Sequence, residues 1–368
     1  MLNKRNTTTP FFSICIPNFN YAGYIGHTID SVLQQDFHDF EIIISDNAST
    51  DSSWAVIQEF VAKDTRIRAF QNTFNVGFGG NLQKASERAT GSYIIMLSSD
   101  DLMNEGALSK YYDVIQQHEQ ANTPLVLHSA YDVINQDNRL TEVHFRFPAR
   151  HKHAWTHADY FHAEMTATEA SQRFEEFNGS DDVVCKGADV FKEGLFDTRS
   201  PAAFLTTCYS RSLWQQVEGY DLTFTYMPDY VFLLKILALQ PKVIYCRPRL
   251  FSYRVHNANQ NALQKSQMAI KKYVDEYMLT IQFPEVLLKK NNIDRKQLVE
   301  YTVTHKWINW AITHFRFTSW QEGFRLWMFC YATYPWLVWS KLRNVQVLGW
   351  AMLSPFSLIA YRLYRKLK

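Results

Sequence analysis

Several features that mark other classes of protein are missing from this sequence of 368 residues. No apolar signal-peptide core follows the polar start Met1–Pro10, so we expect no secretory leader. The five cysteines include no CxxC pair, and their odd number cannot pair fully within one chain. Reduced thiols in a cytosolic setting are therefore expected. Lys and Arg number 38 against 36 Asp and Glu, a balance that argues against a nucleic-acid-binding protein.

Long apolar runs are also missing near the C-terminal end. The uncharged run after Arg325 is too short, and the one after Arg343 contains Pro355 and polar residues, whereas a spanning helix needs about 20 apolar residues. Aromatic residues are abundant, however, and seven of the ten tryptophans follow residue 300. Residues 261–368 predict a helical region that lies on a membrane surface, because aromatic faces with basic flanks suit that interface. The alternative is a helical subdomain or dimer face with a core of aromatics.

Residues 11–130 alternate between short β-rich runs and stretches with helical periodicity. Strands are predicted at Phe12–Ile16, Glu41–Ile44, Tyr93–Leu97 and Leu125–His128. The apolar residues between them share helical faces: Ile25, Ile29, Val32 and Leu33, then Trp54, Ile57 and Val61, then Leu108, Tyr111, Tyr112 and Ile115. This alternation predicts an α/β fold with a mostly parallel, Rossmann-like central sheet flanked by helices. Ligands of such sheets bind at the carboxyl ends of the strands.

Small polar residues follow the predicted strands. Asp46 ends the second strand, where it would accept hydrogen bonds from a nucleobase unless it is only a turn residue. The glycines Gly77 and Gly79 open a predicted helix and would let backbone N–H groups approach a phosphate. Leu82 stands where a dinucleotide fingerprint needs its third glycine, which disfavours a Rossmann dehydrogenase.

Two adjacent carboxylates, Asp100 and Asp101, follow the strand Tyr93–Leu97. Hard oxygen ligands at a strand end suit Mg²⁺ or Mn²⁺ bridging a diphosphate. Alternatively, one of the pair caps a helix that begins at Leu102.

The order and spacing of these motifs resemble family 2 glycosyltransferases of the GT-A fold over roughly residues 10–256. The segments that carry the resemblance are 12–20, 31–35, 46–51, 91–94 and 97–101. It implies a donor site, with a UDP-sugar favoured, formed by Pro17, Asn18, Phe19, Asn20, Asp46, Asn75, Gly77, Gly79, Asn81, Ser99 and Asp100. It also implies that Asp100, Asp101 and His256 hold the divalent metal, although an isolated histidine is more often structural. The family's metal motif commonly begins with an acid where this chain has Ser98 or Ser99, which implies weaker metal binding or binding mainly with the donor.

Residues 213–236 resemble the acceptor-side segment of the same family. Asp229 matches its catalytic base, although the frequent Glu-Asp pair is here Pro228-Asp229. A carboxylate at this place would take the proton of the acceptor hydroxyl. The alternative role for Asp229 is that of a helix N-cap.

The resemblance implies a bacterial enzyme of surface-polysaccharide assembly, such as that of lipopolysaccharide, O-antigen or capsule. We expect a tail over 1–10, a catalytic domain over 11–260 and the membrane-associating region after it. The catalytic domain is divided into a nucleotide-sugar half, 11–130, and an acceptor half, 131–260. The expected reaction is inverting transfer to a hydroxyl of a lipid-linked or free saccharide, at the cytoplasmic face of the inner membrane. The alternatives are a sugar-phosphate nucleotidyltransferase and a non-catalytic carbohydrate-binding protein.

Overall fold

The computed structural model describes residues 9–119, 123–144, 182–196, 201–256, 269–313 and 320–336. Contacts between residues divide the chain into two units, Met1–Glu276 and Tyr277–Lys368. Most of the predicted tail, the predicted domain boundary at 260/261 and the basic segment 337–368 lie outside the described residues.

Ten strands of the described residues form one sheet in the N-terminal unit. They are β1 Phe12–Asn18, β2 Phe40–Asp46, β3 Ile67–Gln71, β4 Tyr93–Met96, β5 Leu102–Met103, β6 Leu125–Asn135, β7 Leu140–His144, β8 Val183–Lys186, β9 Cys208–Ser210 and β10 Lys242–Val255. The order across the sheet is β3-β2-β1-β4-β9-β6-β10-β5, with β7 paired to β6 and β8 paired to β10.

Strands β1 to β4 pair in parallel, and β6 pairs in parallel with β10. The short strand β9 runs antiparallel between β4 and β6, so β1, β2, β3, β4, β6 and β10 all run in one direction. The predicted α/β fold with a mostly parallel central sheet is therefore confirmed. All seven residues of β1 and of β2 are buried, because helices cover both faces of this part of the sheet. These strands consequently appear in the sequence as apolar runs rather than as alternating patterns.

Seven helices of the described residues accompany the sheet in the N-terminal unit. They are α1 Ala22–Leu33, α2 Ser53–Val61, α3 Gly77–Ser86, α4 Ala107–His118, α5 Gly187–Phe196, α6 Arg211–Val217 and α7 Pro228–Leu237. The predicted apolar faces of α1 and α4 are confirmed, since Ile25, Ile29 and Val32 are buried on α1, and Leu108, Tyr111 and Ile115 on α4.

The described part of the predicted C-terminal region is helical. Its elements are α8 Ala269–Gln282, α9 Glu285–Lys290, α10 Arg295–Tyr301, a π-helix Thr302–Trp307, α11 Ile308–Thr313 and α12 Trp320–Thr333. The boundary between the two units falls inside α8, later than the predicted boundary. Trp307 is fully buried in the second unit, where its ring lies 5.3 Å from that of Phe329. Among the described residues, no helix combines the length and the apolar composition needed to cross a membrane.

Candidate active site

Side-chain hydrogen bonds tie together the carboxyl ends of β1, β2 and β3. The Nδ2 atom of Asn18 donates to Oδ1 of Asp46 at 2.7 Å, and Nε2 of Gln71 donates to Oδ2 of Asp46 at 3.0 Å. Ser49 donates to the same carboxylate through its hydroxyl and its backbone N–H. Asp46 is fully buried, so it braces three strand ends at the place where the sequence predicts a nucleobase. Its contact with the nucleobase stays a prediction.

A set of asparagine amides continues this network toward α3. Asn47 donates to Oδ1 of Asn75 at 2.8 Å and accepts the Val76 N–H at 2.9 Å. Asn81 donates to the Asn18 carbonyl at 3.2 Å. The structure therefore brings the predicted donor residues Asn18, Asn75 and Asn81 together. Asn47 was missed by the sequence analysis, although it directly follows Asp46.

Gly77 and Gly79 have separate structural roles at the start of α3. Gly77 has a φ of 78°, which glycine adopts without strain, and no atom lies within 4 Å of where its Cβ would stand. A Cβ on Gly79 would stand 3.1 Å from Cβ of Pro228. The absence of a side chain at Gly79 thus allows α3 to pack closely on the first residue of α7, which also carries Asp229.

The predicted metal residues also come together. Nε2 of His256 lies 3.1 Å from Oδ2 of Asp100, and Oδ1 of Asp101 accepts the Arg254 N–H at 2.9 Å. Oδ2 of Asp101 is buried and accepts no hydrogen bond from the described residues. Burial, with the neighbouring charge of Asp100, raises the pKa of Asp101 well above its usual range. Leu102 begins the strand β5, so neither aspartate caps a helix there.

Two residues that the sequence analysis did not single out support this group. Arg254 is fully buried and donates from Nε to the Asp100 carbonyl at 2.7 Å. Its guanidinium lies 5.2 Å from the ring centre of Tyr24, and the Tyr24 ring lies 4.4 Å from that of His256. Burial lowers the pKa of Arg254, an effect that Asp101 and Asp100 oppose. These contacts join β10 to α1. Because the two elements are far apart in the chain, no local sequence pattern predicts the contacts.

Asp229 lies in the first turn of α7 and lines an open cleft. Met227 occupies the N-cap position of this helix, so Asp229 is not the N-cap. The other residues lining the cleft are Met96, Ala202, Phe204, Thr207, Tyr209, Tyr220, Tyr230, Phe232 and Leu233. Burial raises the pKa of the Asp229 carboxyl, whereas backbone N–H groups at Tyr230 and Asp229 act to lower it. A raised pKa makes the carboxylate a stronger base near neutral pH.

Along the chain, one strand end links the cleft to the predicted metal residues. Met96, the last residue of β4, lines the cleft, and the chain continues from it to Asp100 and Asp101. Phe204 also lines the cleft. Its ring lies 6.3 Å from the ring of Phe78, whose side chain is 38% exposed. Asp229 and Phe204 thus line one cleft, and Asp100 and Asp101 follow its lining residue Met96 by four and five residues along the chain.

Comparison with known proteins gives a family match for part of the chain. Residues 13–171 match the family model described as Glycosyl transferase family 2, which confirms the predicted family resemblance. Over 101 residues the chain is 37% identical to a Campylobacter jejuni protein named GalNAc(5)-diNAcBac-PP-undecaprenol beta-1,3-glucosyltransferase, a match covering 27% of this chain and 33% of that protein. Over 89 residues it is 39% identical to the Escherichia coli protein named UDP-Glc:alpha-D-GlcNAc-diphosphoundecaprenol beta-1,3-glucosyltransferase WfaP, covering 24% and 35%. The chain thus spans about a third of the length of these two relatives.

Solved structures extend the similarity beyond this segment. The crystal structure of S. aureus TarS 1-349 in complex with UDP-GlcNAc matches with a TM-score of 0.55 and 16% identity, covering 94% of this chain and 81% of that one. At this identity the match shows a shared fold.

Proposed function

We propose that this chain, whose residues 13–171 carry a glycosyl transferase family 2 domain, transfers a sugar from a nucleoside diphosphate to a saccharide hydroxyl. The observation that carries the proposal is the position of Asp229, which shares one cleft with Met96 at the end of β4. That strand leads to Asp100 and Asp101, so a donor phosphate held near the aspartates would bring its sugar toward the base.

In this proposal Asp229 takes the proton of the acceptor hydroxyl as that oxygen attacks the anomeric carbon. Direct displacement by one nucleophile inverts the configuration at that carbon. The amide network of Asn18, Asn47 and Asn81 holds the strand ends that form the floor of the donor site. A UDP-sugar is the favoured donor, because the E. coli relative is named for UDP-Glc and the TarS structure holds UDP-GlcNAc.

Asp100 and Asp101 after β4 and His256 after β10 carry atoms of the kind that bind divalent cations, although the described residues contain no group of three or more potential ligands already arranged around one point. Oδ2 of Asp100 and Nε2 of His256 converge within 3.1 Å, and buried Oδ2 of Asp101 accepts no hydrogen bond from the described residues. Magnesium commonly binds through one or two carboxylates and completes its shell with phosphate oxygens and water. When bound, such an ion would neutralise the charge of the diphosphate leaving group.

We further propose a lipid-linked saccharide as the acceptor. Both curated relatives are named for acceptors on an undecaprenol diphosphate. The aromatic rim formed by Phe78 and Phe204 beside the cleft suits the apolar face of a sugar ring.

The proposed activity is tested by incubating the purified chain with a panel of nucleotide sugars and measuring release of nucleoside diphosphate. A transferase is expected to hydrolyse its donor slowly without acceptor and faster with it. Release of pyrophosphate from a nucleoside triphosphate and a sugar phosphate would instead indicate a nucleotidyltransferase. Donor binding without turnover under any condition would indicate a carbohydrate-binding protein.

The donor site makes a prediction for Asp46. Its replacement by alanine should weaken nucleoside diphosphate binding by about 1–3 kcal/mol, the scale of a lost charged hydrogen bond. Calorimetric titration measures the change. Ser49→Ala is the matched control, because it removes one brace of Asp46 and leaves the carboxylate. Equal losses of affinity for the two variants, or no loss for Asp46→Ala, would show that Asp46 does not contact the nucleobase.

An aromatic stripe on α12 supports placement of the protein on a membrane surface. It consists of Trp320, Phe324, Trp327, Met328 and Tyr331. An adjacent face of the helix, with Gly323, Leu326 and Cys330, is buried. Phe324 and Met328 are each 40% exposed, and the sequence after Glu322 has seven basic and no acidic residues. Exposed aromatics followed by basic residues fit the surface of an anionic bilayer.

The stripe predicts a specific loss of membrane binding. The double replacement Phe324→Ser and Met328→Ser should lower partitioning onto anionic vesicles about 30-fold, since each side chain contributes about 1 kcal/mol on burial. Sedimentation with vesicles measures it. Val286→Ser is the control, because Val286 is a 77% exposed apolar residue on α9 in the same unit. Unchanged partitioning of the double variant would place the membrane contact elsewhere.

A further inference from the structure

We infer that Asp275 is a positioning residue for the base Asp229, an inference that rests on the proposed transferase function. Asp275 lies on α8, far along the chain from the cleft residues, and only 1% of its surface is exposed. A carboxylate this deeply buried is costly unless hydrogen bonds satisfy it. Its partners therefore indicate what the residue does.

Those partners are three consecutive backbone N–H groups just before α7. Oδ2 of Asp275 accepts the N–H of Tyr226 at 2.7 Å and of Met227 at 3.0 Å, and Oδ1 accepts that of Thr225 at 3.3 Å. Hydrogen bonds to a charged acceptor are stronger than neutral ones. One side chain thus holds the whole segment that enters the helix.

The held segment sets the position of Asp229. Met227 is the N-cap of α7 and has no side-chain capping bond, while its carbonyl accepts the Val231 N–H. Asp229 is the second residue of the helix that follows. Because the N-cap fixes where the helix starts, movement of Met227 would move Asp229. Burial raises the pKa of Tyr226, and the charge of Asp229 adds to this rise.

Small displacements of the catalytic base by a change at Asp275 should lower the rate strongly. A catalytic group displaced by about 1 Å loses about 10²-fold in rate. Asparagine at 275 keeps one acceptor oxygen but removes the charge and the second acceptor. We expect Asp275→Asn to lower kcat about tenfold and Asp275→Ala about 100-fold, with donor affinity unchanged. If the Asp275→Ala variant does not fold, the kcat of Asp275→Asn alone tests the inference.

The matched control is Asp294→Asn. Asp294 also accepts a backbone N–H at a helix start, that of Gln297 at 2.9 Å, but it holds α10 rather than α7. The control should lose some stability and keep kcat. Equal loss of kcat in Asp275→Asn and Asp294→Asn, or full kcat in Asp275→Asn, would overturn the inference. A wild-type chain without transferase activity would instead overturn the proposed function.

A double variant shows whether Asp275 acts through Asp229. If it does, Asp229→Asn should already remove what Asp275 provides, so the pair Asp229→Asn and Asp275→Asn should be no slower than Asp229→Asn alone. If the two losses in kcat multiply, Asp275 acts independently of Asp229 and the inference is wrong.

Discussion

Replacement of Asp229 by asparagine is expected to lower kcat for sugar transfer by about 10²–10⁴-fold, the usual contribution of a positioned general base. A sugar hydroxyl is a poor nucleophile at neutral pH, and asparagine cannot take its proton. Asparagine otherwise keeps the size of aspartate, so affinity for the nucleoside diphosphate should be unchanged. Steady-state kinetics with donor and acceptor varied separately measure the effect.

The stability of Asp229→Asn gives a second readout. Burial raises the pKa of Asp229 above its unfolded value, so above that unfolded pKa the folded protein bears the cost of the buried charge. Asparagine removes this cost, and we expect the Tm at neutral pH to stay the same or to rise. A large fall in Tm would mean that lost activity reflects misfolding.

The natural control for this experiment is Asp221→Asn. Asp221 is the nearest acid before α7 and therefore the alternative base if Asp229 does not serve. In the structure it accepts the Thr223 N–H at 3.1 Å and lies 3.8 Å from Nζ of Lys235. The Asp221→Asn variant is therefore expected to keep near-full turnover. If Asp221→Asn is inactive and Asp229→Asn is active, the base has been assigned to the wrong residue.

The raised pKa of Asp229 also predicts the direction of the pH dependence. The base must be ionised to accept a proton, so kcat/KM should fall as pH drops through the pKa of Asp229. Because burial raises that pKa, the fall should begin at a higher pH than an exposed aspartate would cause. In Asp229→Asn this acidic limb should disappear from the residual activity.

Removal of divalent metal is expected to abolish transfer, and added Mg²⁺ or Mn²⁺ should restore it. The reason is that Oδ2 of Asp100 lies 3.1 Å from Nε2 of His256, and the buried Oδ2 of the adjacent Asp101 accepts no hydrogen bond from the described residues, where the diphosphate is proposed to lie. Activity after chelation and dialysis, followed by metal addition, measures the effect.

Asp100→Asn provides the matching variant for the metal prediction. It should raise the metal concentration needed for half-maximal activity, since one carboxylate ligand is lost. Asp132→Asn is the control. Asp132 is an acid on strand β6 that pairs with Arg249 of strand β10 at 2.8 Å. Full activity in excess chelator would contradict metal dependence, and the serines that replace the first acid of the family motif would then explain it.

The parts of the site that could be predicted from the sequence lie at the ends of buried strands. Asp46, Asp100 and Asp101 each lie within four residues of the end of an apolar run, and parallel strands bring such ends to one edge of a sheet. The motif around Asp229 was equally local, since Pro228 at the first helical position and an apolar stretch mark the start of α7. In each case the chemical group and the element that positions it are neighbours in the chain.

What only the tertiary structure decided are contacts between distant segments. Asp275 is 50 residues from Thr225, Arg254 is 153 from Asp101, and His256 is 156 from Asp100. A contact between a side chain on α8 and a backbone segment cannot be predicted from the sequence of either segment, because the backbone N–H of any residue type except proline can serve as the donor. The sequence by itself determined the strands, the helical faces and the chemical groups of this protein, since these depend on local patterns of burial. Packing decided which of those groups meet, because burial in one shared core brings remote segments within hydrogen-bonding distance.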